Sequence, residues 1–357
     1  MFLGIKLAFV IYKFYKKDLN MITPAIGTKE LYKQLRVLIN TNMPLFIHGS
    51  PGIGKSYIVN DIAKEYDFEI KDVRLSQLDA VDLRGIPSIK DNQTIWMPPI
   101  FLPQDKNSKG ILFLDELNSA PASVQAAIYQ LVLDRKIGEY ELPKDWRIVC
   151  AGNKIDDRGI VFRLPSPLVN RMVHIVLEAK YEDFKEWAIK NGIHSFIIGF
   201  LGFRSDLLSS EIPKQSETNP AFATPRSWSM LSQIIKNNPK VEDISSIIYG
   251  TVGYAVGLEF LAFVKVYKNL PNIKAIFEGE VSNIPKEPSS LYAVTSAIIE
   301  QHQVGNIEYI KNIFTYSKKL PLEFAVMLIK DLIVKDESIC ELDEFEEWLE
   351  KYENFII

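Results

Sequence analysis

Cysteine is scarce: Cys150 and Cys340 are the only two in 357 residues. They stand far apart with neither CxxC nor metal-ligand spacing, which argues against thiol chemistry and a zinc site and suits a reducing cytoplasm. Charge of one sign is missing too. Lys and Arg total 41 against 45 Asp and Glu, and no dense basic run is present to track a phosphate backbone, so nucleic acid is not an expected partner. Long apolar runs are also absent. Residues 1–15 are apolar but interrupted by Lys6 and Lys13, too short to span a bilayer, and lack a small-residue cleavage site. That start reads either as a short anchor or, since Met21 comes next and the globular pattern begins near Thr28, as a loosely packed extension over 1–27. The remaining composition is that of an ordinary soluble chain, long enough for a main domain with attachments.

Against these absences stands an alternation of periods. Leu31, Leu35, Val37, Leu38 and Ile39 predict a helix over 29–39, and residues 44–48 read as a short buried strand ended by Gly49. Then come a helix over 56–66, strands over 68–75 and 110–114, a helix over 123–133 and strands over 146–151 and 172–177. Helix and strand in turn predict an α/β fold, a parallel sheet with helices on both faces. Two turn-punctuated pieces, 82–87 and 91–99, read as a small hairpin inserted between the second and third strands. Past Glu178 the pattern is helical, over 181–190, 228–236 and 241–268, with loops such as 209–225 between. It shifts again after Pro271. Residues 336–353 hold nine acidic side chains against Lys351 alone, either a solvated amphipathic helix or an interaction tail. The expected organisation is an extension over 1–27, an α/β domain over 28–180, a helical lid over 181–270 and a further helical region over 271–357.

The chemistry concentrates in three places. Gly49-Ser50-Pro51-Gly52-Ile53-Gly54-Lys55-Ser56 matches G-x-x-x-x-G-K-[ST] in full, between a predicted strand and a predicted helix. Glycines there can turn consecutive amide hydrogens inward onto phosphate oxygens at a helix N-terminus. Lys55 then neutralises phosphate charge and Ser56 ligates magnesium; an ordinary glycine turn with an incidental lysine is the competing reading. The candidate nucleotide-binding set is Gly49, Pro51, Gly52, Ile53, Gly54, Lys55, Ser56 and Tyr57. Next, the apolar run Ile111 to Leu114 ends in Asp115 and Glu116, expected to hold a metal's water shell and to orient or deprotonate an attacking water. Capping of the following helix is the alternative. Finally, Asn153 ends a strand, where it either reaches the attacking water or merely forms a turn. His48, Trp96, Trp146 and Trp228 read as packing residues.

Over residues 28–270 these motifs resemble the AAA+ ATPases, and within them the MoxR-like branch. The resemblance implies that residues 49–56 act as the Walker A motif, 112–116 as Walker B and Asn153 as sensor 1. It also implies that Arg171 is similar to the arginine finger inserted into a neighbouring subunit's site, with Arg158 and Arg163 nearby able to share or take that role. Arg226 in Ala223-Thr-Pro-Arg-Ser resembles sensor 2 of the lid. A guanidinium keeps its charge and offers a fork of donors to phosphate oxygens, which suits both positions. Residues 82–99 are similar to the branch's helix-2 insert and 133–146 to the hairpin before sensor 1. The same resemblance implies ATP hydrolysis with Mg²⁺ in a homo-oligomeric ring, a hexamer in this family, that remodels a client protein, for this branch often one of von Willebrand A type. A nucleotide-gated scaffold with little turnover and a DNA-associated motor are the alternatives.

Overall fold

A computed structural model describes residues 24–154, 157, 162, 164–213, 220–237, 240–280 and 283–352, and divides the chain between Glu178 and Ala179 into two compact units. The first alternates helix and strand. Helix α1 (Thr28–Leu38) buries Leu31 and Leu35, strand β1 (Leu45–His48) enters the glycine loop, and α2 (Lys55–Glu65) leaves it. Strand β2 (Glu69–Arg74) is next, then a short helix α3 (Ala80–Arg84) that periodicity does not reveal. The Asp79 amide donates to the Asp82 carboxylate at 2.8 Å, capping α3 through a residue of its own first turn. The predicted insertion is an antiparallel hairpin, β3 (Ile86–Lys90) with β4 (Gln93–Met97).

Strand β5 (Gly110–Asp115) is fully buried through Ile111, Leu112, Phe113 and Leu114, which is why its sequence runs apolar without alternation. Helix α4 (Ala122–Asp134), a two-stranded hairpin of β6 (Lys136–Ile137) and β7 (Tyr140–Glu141), strand β8 (Trp146–Gly152), the one-turn helix α5 (Ser166–Val169) and strand β9 (Val173–Val176) complete the unit. The five long strands form one parallel sheet in the order β2-β5-β8-β1-β9. Parallel strands put all their carboxyl ends on one edge, so the loops after β1, β5 and β8 become neighbours although up to a hundred residues part them in sequence. Trp146, expected to pack, is fully buried at the opposite end of β8.

The second unit is helical: α6 (Tyr181–Lys190), α7 (Ser195–Phe203), α8 (Pro225–Lys236), α9 (Ser245–Val252), α10 (Tyr254–Val264), α11 (Ile273–Phe277), α12 (Pro288–Gln301), α13 (Ile307–Ser317), α14 (Leu322–Lys335) and α15 (Asp343–Tyr352). One core runs through it from Phe184 to Tyr352, so the stretches expected as a lid and a separate C-terminal region share their buried surface. Two expected helices come out divided. The stretch 241–268 breaks at Gly253, whose φ of +91° no helix accommodates, and a Cβ there would stand 2.9 Å from the Ala221 carbonyl oxygen. At the end of the chain Asp336 caps only a short 3-10 helix, Glu337–Glu341, and not the α-helix. Its carboxylate accepts from His302 and from the Gly305 and Ser338 amides, and α15 begins only at Asp343, burying Trp348 and Tyr352 beneath its acidic face. Among the described residues no helix is long and apolar enough to cross a membrane.

Candidate active site

Three loops meet at the carboxyl edge of the sheet. The first joins β1 to α2, with Gly52 at φ +78° and Gly54 at φ +100°, the left-handed region closed to most side chains. Gly54 is also the residue immediately before the helix, so its conformation is what lets the loop turn directly into the first amides of α2. Lys55, the first helical residue, is buried and donates through Nζ to the carbonyl oxygens of Gly49 at 2.5 Å and Ser50 at 3.1 Å. Ile53 is buried, while Tyr57 is exposed and Pro51 half-buried. All eight residues of the predicted set therefore belong to one loop and the turn it opens into.

The second loop comes after β5. Ser56 Oγ, on the helix after the glycine loop, donates to Asp115 Oδ2 at 3.2 Å, so the two oxygens assigned to a metal lie side by side across the intervening strand β8. Asp115 Oδ1 accepts from the Glu116 amide at 2.9 Å. Glu116 itself sits at φ +59°, a conformation that costs a side-chain-bearing residue about 1–3 kcal/mol. Its carboxylate is held by the Ser76 hydroxyl, which donates to Oε2 from the turn after β2. Ser76 was not among the predicted site residues; only the pairing of β2 with β5, Arg74 opposite Asp115, brings that turn to Glu116.

The third loop comes after β8. Asn153 is half-buried, and what fixes it is its backbone: the buried side chain of Asn118 donates to Asn153 O at 2.7 Å and accepts from Asn153 N at 3.1 Å. Gly152 makes the approach feasible, since a Cβ at that position would collide with the Asn118 amide. The Asn118 carbonyl in turn accepts from the Phe162 amide at 2.7 Å. A further tie closes the ring of loops: Ser50 Oγ donates to Asp157 Oδ1 at 3.0 Å, and Asp157 Oδ2 accepts from the Lys154 amide at 2.9 Å. Asn118 and Asp157 are, like Ser76, invisible to spacing.

This donor set suits a hard divalent cation and a polyphosphate. The oxygens of Ser56 and Asp115 are of the class magnesium takes, the left-handed glycines leave the loop's amides free of side chains, and an ammonium lies within the loop. Asp72 on β2 adds negative charge nearby: burial, then the Asp115 carboxylate, hold its pKa above the usual range, with Arg74 partly offsetting both.

Of the predicted arginines, Arg171 is exposed just after α5, its amide donating to Leu168 O at 3.2 Å. Arg158 and Arg163 lie outside the described residues. Arg226 belongs to the second unit, exposed in the first turn of α8, where Pro225 opens the helix and Thr224 caps it by accepting from the Ser227 amide at 3.1 Å. Trp228 beside it is fully buried, as expected of a packing residue, and Trp96 is half-buried under the Arg84 guanidinium, 4.1 Å from its ring centre.

Residues 44–172, from the position before β1 to the position before β9, match the family model of the AAA domain, dynein-related subfamily. Stretches of 156 and 158 residues are 29% identical to the midasins of Giardia intestinalis and Dictyostelium discoideum, covering 42% and 40% of this chain but only 3% of each midasin. Among solved structures, the RuvB Holliday junction branch migration motor of Thermotoga maritima aligns at 16% identity and a TM-score of 0.34, over 76% of this chain and 80% of its own. The NtrX protein of Brucella abortus in complex with ATP aligns at 15% identity and a TM-score of 0.34, over 99% of this chain and 71% of its own. The family match takes in the glycine loop and four of the five strands of the parallel sheet, all but β9, so residues 44–172 are similar to the dynein-related AAA domain and have its α/β P-loop fold, continued by a helical unit.

Proposed function

We propose that this protein is a MoxR-like AAA+ ATPase that hydrolyses ATP in an oligomeric ring, hexameric by resemblance, and uses the cycle to remodel or mature a client protein. The observation that carries this reading is the convergence of Lys55 inside the glycine loop, the Ser56–Asp115 oxygen pair and the Glu116 carboxylate on one sheet edge. The inserted β3–β4 hairpin and the short β6–β7 hairpin before β8 support the MoxR-like branch over simpler relatives. A client of von Willebrand A type rests on that resemblance alone.

In this mechanism the loop amides and Lys55 bind and orient the phosphates. Ser56 and Asp115 hold Mg²⁺, which when bound supplies charge neutralisation on the phosphate oxygens. Glu116 accepts the proton of the attacking water, and Ser76 sets where that carboxylate stands. Asn118, by pinning both backbone groups of Asn153, fixes the end of β8 between the two sites it separates. Arg171 is offered to the neighbour's phosphates and Arg226 acts from the helical unit.

ATP turnover measured against protein concentration tests the reading. Specific activity should climb as rings assemble, and Glu116→Gln should bind ATP yet lower kcat about a hundredfold or more. Turnover that is independent of concentration, or a Glu116→Gln enzyme as fast as the parent, would sink it. The Ser76 hold on Glu116 favours a second reading, a nucleotide-gated scaffold with little turnover. Tight ATP binding in an assembled ring, with negligible hydrolysis even in Ser76→Ala, is the outcome that selects the scaffold.

A further inference from the structure

Two histidines that the nucleotide chemistry does not use are joined to each other beside the glycine loop. His48 is the last residue of β1, directly before Gly49, and His174 lies on the adjacent edge strand β9. His48 Nε2 and His174 Nδ1 are 2.9 Å apart, and His174 Nε2 is 2.8 Å from the carbonyl oxygen of Val169, the last residue of α5. A carbonyl only accepts, so His174 carries a proton on Nε2; in the neutral ring Nδ1 is then bare and His48 Nε2–H is the donor. The relay therefore has one direction, from β1 through both rings to the end of α5. Phe46, fully buried, packs against both rings with centroids 4.1 Å from His48 and 5.8 Å from His174.

Both ends of the relay are anchored in groups already assigned work. The His48 carbonyl accepts from the Leu177 amide at 2.7 Å, and the Gly49 carbonyl after it accepts from Lys55. At the other end, the bond from His174 to Val169 closes a tight loop around Asn170, Arg171 and Met172. Arg171 itself is exposed, between Leu168 and Met172, which are buried in the core, so this bond adds a directional polar tie to apolar packing and the backbone bonds of one helical turn. Burial, then His174 and the Lys55 charge, push the His48 pKa down to about 4, so His48 stays neutral beside that ammonium at ordinary pH.

We propose that His174, braced by His48, is a positioning residue: it fixes the loop that carries Arg171 relative to the strand entering the same chain's glycine loop, and so sets where that arginine is presented to a neighbouring site. This rests on the reading of Arg171 as the arginine given in trans. A solely structural pairing of two half-buried rings makes a different prediction, which rings mixed from two kinds of chain can separate.

The donor chain carries Glu116→Gln, so its own site is dead while its Arg171 is intact. The acceptor chain carries Arg171→Ala, so its site is intact but it gives no arginine. Activity in the mixture above that of either chain alone then comes from acceptor sites beside donor chains. His174→Phe is added to one chain or the other. Placed on the donor it should lower kcat about tenfold with KM for ATP unchanged, and placed on the acceptor it should change kcat less than about twofold. His174→Gln, which keeps an amide donor for Val169, should restore most of the loss on the donor. Should the phenylalanine chain not fold, His174→Asn, too short to reach both partners, is read in the same two positions. Loss that tracks with the acceptor, appears equally from both chains, or shows only in KM overturns the proposal while leaving Arg171 in place. No activity in the mixture lacking any His174 change overturns the trans role of Arg171, and the positioning role with it.

Discussion

The two units treat buried charge in opposite ways. In the first, the polar groups stand at the carboxyl edge of a parallel sheet, and their bonds tie one loop to another: Lys55 to the glycine loop, Ser56 to Asp115, Ser76 to Glu116, Asn118 to Asn153. Each partner is a group that a ligand could take over. In the second unit the buried charged side chains are paired with one another inside the helical core. Lys185 and Asp331 meet at 2.9 Å with side chains 11% and 6% exposed, and His302 donates to Asp336 at 2.9 Å with both side chains essentially sealed. Ser195, itself buried, donates to the exposed Glu300 at 2.6 Å. The lesson is that buried charge by itself does not mark a site; charge whose partners are loop atoms at a strand end does.

That contrast can be broken most severely at Lys185. Lys185→Met leaves Asp331 buried without its cation, at a cost of about 3–5 kcal/mol, and should lower the unfolding temperature of the helical unit while ATP affinity stays within about twofold of the parent. Calorimetry beside a binding titration would show it; a matching loss of affinity would mean that the two units are not separable in this sense. Lys55→Ala should do the reverse. Loss of the one ammonium in the loop should weaken ATP binding about a hundredfold or more, with little change in either unfolding transition. A variant that binds ATP like the parent would remove the glycine loop from the function altogether.

Asn118→Ala probes whether the ties between loops matter as much as the charged groups. It frees both backbone groups of Asn153 and should cut kcat about tenfold while leaving ATP affinity nearly intact, which steady-state kinetics and a titration together would resolve. Equal effects on both would make Asn118 a folding residue only.

The smallest effect is in pH, and its sign differs between the units. His48 takes a proton near 6.5 when unfolded but only at about 4 when folded, because burial, His174 and Lys55 oppose the charge. Acidification through that window therefore favours unfolding of the first unit. Asp331 is pushed up to about 6 by burial, against the pull of Lys185, from an ordinary value of 3.8. The folded state holds that proton more tightly, so stability from this group is present at low pH and lost as pH rises through 6. Between pH 7 and 5 the first transition should move down by a few degrees, and Asp331→Asn should flatten the pH response of the second. Identical slopes in parent and Asp331→Asn would remove Asp331 from the account.

Where reading the sequence succeeded, the cause was local. Strands β1, β5 and β8 are short apolar runs closed by Gly49, Asp115 and Gly152, and a parallel strand buried on both faces has to be written that way. The helices it misplaced fail for equally local reasons that periodicity cannot weigh. Apolar spacing continues across Gly253, yet the backbone there turns to φ +91° against the Ala221 carbonyl, a contact made by the fold. Residues 195–203, Ser-Phe-Ile-Ile-Gly-Phe-Leu-Gly-Phe, are apolar on every side and show no helical stripe, because α7 lies in the middle of the core.

By itself the sequence determined the phosphate loop, the acidic strand end and the alternation that makes an α/β sheet, because each depends on residues within one turn or one strand of each other. The tertiary structure alone decided which loops meet. Ser76 reaches Glu116, Asn118 reaches Asn153 and His174 reaches both His48 and Val169 only because the strands assemble in the order β2-β5-β8-β1-β9. Spacing along a chain carries the period of an element but not the identity of its neighbour, and a hydrogen bond between loops depends on the neighbour.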